Sequence, residues 1–145
     1  SIPFPYLVTR LVKNVDIREI GSHNMGAMNT FYQTGFVWGL LVLFLDMAKG
    51  VGSILIARAL TDGTNIPLIA AGVAVIGHMF PVFVGFRGGK GIATAAGVYL
   101  ALSPLGLLLA ALVFAAHSSL SASQEALRPR GPPHAAGLHR RFERV

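Results

Sequence analysis

Polar positions are sparse along this chain, and their placement divides it into long apolar runs. Ile92 to Ala116 carries no charged side chain over 25 positions. At 1.5 Å per residue, a helix of that length crosses a hydrocarbon core of about 30 Å with some tilt. Ser103-Pro104 near its middle is a kink or a turning point, because proline removes a backbone donor and crowds the preceding turn. Ile66 to Phe86 forms a second run, whose only ionisable group is His78. Phe36 to Leu60 is a third, interrupted by Asp46 and Lys49. These two lie three apart, on one helix face, where they can pair. A charge at mid-bilayer costs about 2.5–3.5 kcal/mol on insertion scales, so the pair is expected to face protein or a wet cavity. Ile2 to Val12 is half a span and reads as the tail of a helix that begins earlier.

The pattern therefore predicts an all-α, polytopic transmembrane bundle with about three full spans and a partial one at the start. Two crossings, 36–60 and 66–86, return the chain to its original side, so the 10–35 and 85–94 loops share one membrane face. The first loop holds Arg10, Lys13 and Arg18 and the second Arg87 and Lys90. The positive-inside rule assigns both to the cytoplasm. Beyond Ala116 the apolar pattern ends. Residues 117–145 are rich in Arg, Pro, Ser and His, and are expected to form a disordered basic tail with the character of a shifted reading frame.

Composition reinforces the membrane reading. Hydrophobic residues make up 53% of the chain and charged residues 12%, with a mean hydropathy of +0.61. Soluble domains carry about 25% charge. The net charge of +6 is divided between the tail and groups scattered between apolar runs, which excludes the single basic face that nucleic acid requires. No cysteine is present, which removes disulfide and thiolate chemistry. The chain opens without methionine, so more sequence is expected before it.

Three polar groups carry candidate chemistry. Gly21-Ser22-His23-Asn24-Met25-Gly26-Ala27-Met28-Asn29 joins small and amide residues between membrane segments. Gly21 and Gly26 let backbone N–H groups approach an anion, and Ser22, Asn24 and Asn29 add neutral hydrogen-bonding groups. Gly85-Phe86-Arg87-Gly88-Gly89-Lys90-Gly91 has four glycines and two cations in seven positions. It misses the nucleotide P-loop pattern at Val84 and Gly91 but suits a phosphate, with Lys90 as a point charge. His78 lies on the loop side of its span, and intramembrane ionisable groups are functional candidates. No Asp stands five residues on, and no Ser-His-Asp triad, metal-ligand cluster or cofactor motif is apparent, so neither a metal nor a cofactor is expected. Arg10 follows an apolar approach that would hold its guanidinium at the membrane boundary, where it can fork onto a phosphate. The residues alone leave three readings open: an enzyme, a non-enzymatic lipid- or phosphate-binding or transport subunit, and an inactive fragment.

In this order the three loops resemble the bacterial acyl-phosphate:glycerol-3-phosphate acyltransferases, the PlsY family. Ser1 to Arg10 looks like its first motif and Gly21 to Asn29 like its second. Gly77-His78-Met79-Phe80-Pro81 through Gly91-Ile92-Ala93-Thr94 looks like its third, and Asp46-Met47-Ala48-Lys49-Gly50 is similar as well. The resemblance covers about residues 1–116, read as an incomplete integral membrane domain. It implies acyl transfer from acyl phosphate to glycerol 3-phosphate at a plasma-membrane site, giving lysophosphatidate and phosphate for phospholipid synthesis. By position, Ser1, Arg10, His78 and Lys90 would surround the substrate phosphates. Gly21, Ser22, Asn24, Gly26, Asn29, Gly88, Gly89, Gly91 and Thr94 would bind substrate. The proton acceptor would be His78 or a substrate phosphate. The sequence departs from the family pattern at Pro5 and His23, where glycine is usual, at Met28 for threonine and at Tyr32 for arginine.

Overall fold

The computed structural model describes residues 1–63 and 65–127, and every regular element within them is helical. Six α-helices run in order: α1 (Phe4–Lys13), α2 (Ala27–Thr34), α3 (Phe36–Leu60), α4 (Asn65–Met79), α5 (Ile92–Leu102) and α6 (Pro104–Leu127). Short 3₁₀ turns occupy Ile17–Glu19 and Val82–Val84. Residues 1–108 pack as one unit, and α6 beyond it is a separate element.

The helix α3 coincides with the expected Phe36–Leu60 span. The stretch Asn65–Val84 is also long and apolar enough to cross a membrane. Only 28% and 17% of these two spans is buried. The rest presents Phe44, Ile56, Leu68, Ile69 and Ile76 outward, as a lipid-facing surface requires. The third expected span, 92–116, is corrected: it is two helices broken at Ser103, whose extended φ of -155° ends α5. Pro104 explains the break, because it starves the helix of a donor and drives the preceding residue out of the α region. The segment 2–12 holds most of helix α1 (Phe4–Lys13). Helix α1 is amphipathic and starts at Phe4, with Pro5 in its first turn, where a missing N–H costs nothing.

The expectation of disorder from residue 117 is corrected for its first part, since α6 continues through His117 to Leu127. That stretch has no glycine or proline and includes Ala, Leu, Gln and Glu, all good helix formers. The remainder of the basic tail, 128–145, lies outside the described residues.

Two apolar clusters organise residues 1–108. Ile54, Ala71 and Val98 join α3, α4 and α5 inside the spans. In lipid the gain at such a contact comes from close packing between helices, not from removal from water. The α3–α5 crossing is close because both helices lack a side chain where they meet. A Cβ on Gly50 would strike the Thr94 carbonyl, and one on Gly97 the Met47 carbonyl. The second cluster, Ile17, Met25 and Val84, joins the α1–α2 loop to the turn after α4. Polar loops far apart in sequence are thus held together from beneath.

Candidate active site

Helix α3 places Asp46 and Lys49 on one face, and the last turn of α4 brings His78 against them. Lys49 Nζ lies 2.8 Å from Asp46 Oδ1, and His78 Nδ1 lies 3.6 Å from the same oxygen. Asp46 is fully buried and His78 5% exposed, so these are protein-facing intramembrane ionisable groups. The Lys49 contact is an ion pair whose angles fall outside hydrogen-bond geometry, because neither Asp46 oxygen has a hydrogen-bond partner. The same ammonium donates to the Ile2 carbonyl at 3.1 Å and lies 5.3 Å from the centre of the Phe4 ring. This draws the start of the chain against α4, with Ser1 packed beside Gly77. A cavity of about 390 Å³ opens there, lined by Ser1, Ile2, Phe4, Lys49, Val73 and Gly77 among others.

The glycine-rich loop closes over the end of α4. Gly88 N–H donates to the Met79 carbonyl at 3.0 Å and Gly89 N–H to the His78 carbonyl at 3.3 Å. These two amides therefore complete the α4 terminus. Their glycine identity has a steric cause. A Cβ on Gly88 would strike the His78 carbonyl, and one on Gly89 would strike both His78 Nε2 and the Met25 carbonyl. Gly89 is where the second and third loops meet the histidine ring. Gly91 caps the start of α5 with a left-handed φ of 78°. The first turn of a helix leaves N–H groups without intrahelical partners and carries the positive end of its dipole. Exposed Lys90 precedes it. Thr94 is fully buried against α3, and its hydroxyl has no partner.

In the second loop Asn29 is an internal hub. Its Nδ2 donates to the carbonyls of Ile17, Ile20 and Asn24 at 3.2, 3.1 and 3.0 Å, and its Oδ1 accepts from Ser22 N–H at 3.2 Å. With Asn29 3% exposed, these bonds use its donors and acceptor internally and build the loop. Gly21, at φ 61°, leaves no room for a Cβ beside Asn29 and Gln33. His23 also takes a left-handed φ of 56°, which explains why glycine suits that position in the resembling family. Ser22 is exposed, while Asn24 and Gly26 are half-buried at the start of α2.

Arg10 is exposed and donates to the Asn14 carbonyl at the end of its own helix. The arginine that joins the loops is Arg18. It forks onto Asp16, with Nε 2.9 Å from Oδ1, and donates to the Val84 carbonyl at 2.7 Å. Its guanidinium carbon stands 5.2 Å from the centre of the Tyr6 ring. The Arg18 hydrogen bond holds the Asp16 carboxyl below the usual carboxylate range, and Asp16 in turn raises Arg18. A cleft of about 480 Å³ beside this latch is lined by Tyr6, Arg18, Glu19, Phe83 and Arg87 among others. Sequence reading passed over Arg18 as one loop charge among several, since its partner carbonyl is 66 residues away. Asp46 and Lys49 were legible as a pair, but their junction with His78 spans two helices and has no local signature.

The model of the glycerol-3-phosphate acyltransferase family matches residues 1–126, ten residues past the expected boundary at 116. Glycerol-3-phosphate acyltransferase 2 of Dehalococcoides mccartyi is 47% identical over 107 residues, covering 74% of this chain and 51% of the relative. A glycerol-3-phosphate acyltransferase of Desulforamulus reducens is 48% identical over 115 residues, covering 79% and 57%. Among solved structures, the glycerol 3-phosphate form of PlsY (YgiH), an integral membrane glycerol 3-phosphate acyltransferase, superposes with a TM-score of 0.68 at 37% identity. That match covers 79% of this chain and 58% of the solved one. The lysophosphatidic acid form gives a TM-score of 0.67 at 40% identity. The chain thus spans about half the length of the curated relatives it matches. With its span-length helices and outward apolar faces, this is an integral membrane fold, and the chain belongs to the glycerol-3-phosphate acyltransferase family.

Proposed function

We propose that this chain carries the phosphate-handling site of an acyl-phosphate-dependent glycerol-3-phosphate acyltransferase, with its loops on the cytoplasmic face of a bacterial plasma membrane. The observation that carries the reading is the closure of the second and third loops on His78, with Gly89 between its ring and Met25 and the helix start of α5 next in the chain. The relatives' names and the glycerol 3-phosphate and lysophosphatidic acid forms of the similar structures support the substrate and product assignments.

Acyl phosphate is an activated mixed anhydride, so no enzyme nucleophile is required. The 1-hydroxyl oxygen of glycerol 3-phosphate attacks the acyl carbon, the bond from that carbon to the phosphate oxygen breaks, and inorganic phosphate leaves. The hydroxyl proton passes to His78 Nε2 or to the departing phosphate. Lys90, Arg10 and the α5 amides offset the negative charge, and binding both substrates at one membrane face supplies proximity. Ser1, Asn24, Gly26 and Ser22 are assigned to substrate contact at the loop surfaces, and the acyl chain remains among the spans.

The test is lysophosphatidate formation from labelled glycerol 3-phosphate and acyl phosphate, using membranes that contain the chain. Product is expected, and Lys90→Ala or Arg10→Ala should reduce it by about 10²-fold, a typical loss for one charge-stabilising donor. Folded protein that binds glycerol 3-phosphate without turnover would instead establish a binding subunit.

A further inference from the structure

We propose that Asp46 is the positioning residue of this site, one buried carboxylate that orients the His78 ring and, through Lys49, holds the Ser1 segment beside it. The role given to His78 rests on the acyl-transfer reading above; the coupling of Asp46 to it rests on geometry alone.

Asp46 is fully buried, and neither carboxylate oxygen has a hydrogen-bond partner. A buried carboxylate is costly unless its charge is compensated, and Asp46 has its compensation on one oxygen alone. Its two charged or polar neighbours come from different helices: Lys49 Nζ at 2.8 Å and His78 Nδ1 at 3.6 Å, both on Oδ1. An ion pair that served only to hide a lysine within a span would have no need of a histidine from the next helix. From this carboxylate, two routes converge. One runs directly to the His78 ring. The other runs through Lys49 to the Ile2 carbonyl, 47 residues away, and from there to Ser1, which packs on Gly77, the residue before His78.

The orientation has a chemical consequence. A carboxylate facing Nδ1 favours the tautomer with its proton there, leaving the Nε2 lone pair free. Nε2 packs against Gly89, where a Cβ would strike it. The 3.6 Å separation exceeds a hydrogen bond, and such contacts in unliganded sites commonly shorten when substrate binds.

The test combines turnover with ¹⁵N NMR of histidine-labelled full chain in nanodiscs, His78 being assigned by comparison with His78→Gln. Asp46→Asn should lower kcat roughly 10- to 100-fold, the loss typical of removing a histidine's orienting partner, with little change in KM for glycerol 3-phosphate. Asp46→Asn combined with His78→Gln should be no slower than His78→Gln alone. The His78 ring signals should shift away from the Nδ1–H tautomer in Asp46→Asn. They should shift equally in Asp46→Asn/Lys49→Met, which leaves no buried charge unpaired should the single variant misfold. Unchanged ring signals in that double variant, or additive losses in the His78→Gln background, would overturn the proposal. If no form of the chain turns over acyl phosphate, the acyltransferase reading falls and the ring signals alone decide the coupling.

Discussion

At the scale of single residues, Gly89 is a position that cannot accept a side chain without displacing the site. A methyl there meets the His78 ring on one side and the Met25 carbonyl on the other, and neither is the loose end of a flexible side chain. Gly89→Ala is expected to reduce turnover by about 10²-fold, as small misplacements of reacting groups do, while the protein remains folded. Turnover and thermal unfolding measured on one preparation would separate the two effects. Asp16 gives a second expectation. Arg18 depresses its folded carboxyl pKa. The stability it contributes is therefore fully present above the unfolded value of about 3.9 and is lost as pH falls through the lower folded value. Loop protection, followed by hydrogen exchange, should decline on acidification into that window. Asp16→Asn should already be loosened at neutral pH and show less further change there. At this scale the sequence was informative about residue type and less so about role. Glycines, asparagines and cations marked the right loops. The direction in which Asn29, Gly88 and Thr94 turn their polar atoms depends on neighbours that are distant in the chain or on another helix.

Among the elements, the α3–α5 crossing is the most constrained, and α3 contains its own control. Gly50 and Gly52 are two residues apart, but a Cβ at Gly50 strikes the Thr94 carbonyl, whereas Gly52 has open space around it. Gly50→Ala should destabilise the fold by about 1–3 kcal/mol through overpacking. Gly52→Ala should be neutral or stabilise by up to about 1 kcal/mol, since it removes only the entropic disadvantage of glycine in a helix. Thermal unfolding in detergent would compare the pair. Helix positions were well marked in the sequence by uninterrupted apolar runs, and α3 has its expected bounds. The expected span over 92–116 was misjudged because hydropathy is blind to a break between two equally apolar halves. Ser103-Pro104 was the visible sign, and its effect proved to be termination rather than a kink.

For the molecule as a whole, the exposed apolar faces of α3 and α4 predict that the protein stays with membranes after carbonate washing and needs detergent for release. Its recovery in the supernatant would contradict the membrane fold. Composition alone had pointed this way, since hydropathy sums over all residues and requires no knowledge of contacts. The contacts that assemble the site are of the opposite kind. They join loops through the Arg18–Val84 bond and helices through Asp46 and His78, pairs that the apolar pattern does not encode.

The Arg18–Val84 bond also sets an order of events during biogenesis. Its two ends are 66 residues apart and are separated by both crossings, α3 and α4. While the chain is being synthesised and inserted, the α1–α2 loop must wait without its partner until the second crossing has returned residue 84 to the same face. The latch thus forms only after both crossings are in place, and a chain stalled between them would expose an unlatched, protease-sensitive loop.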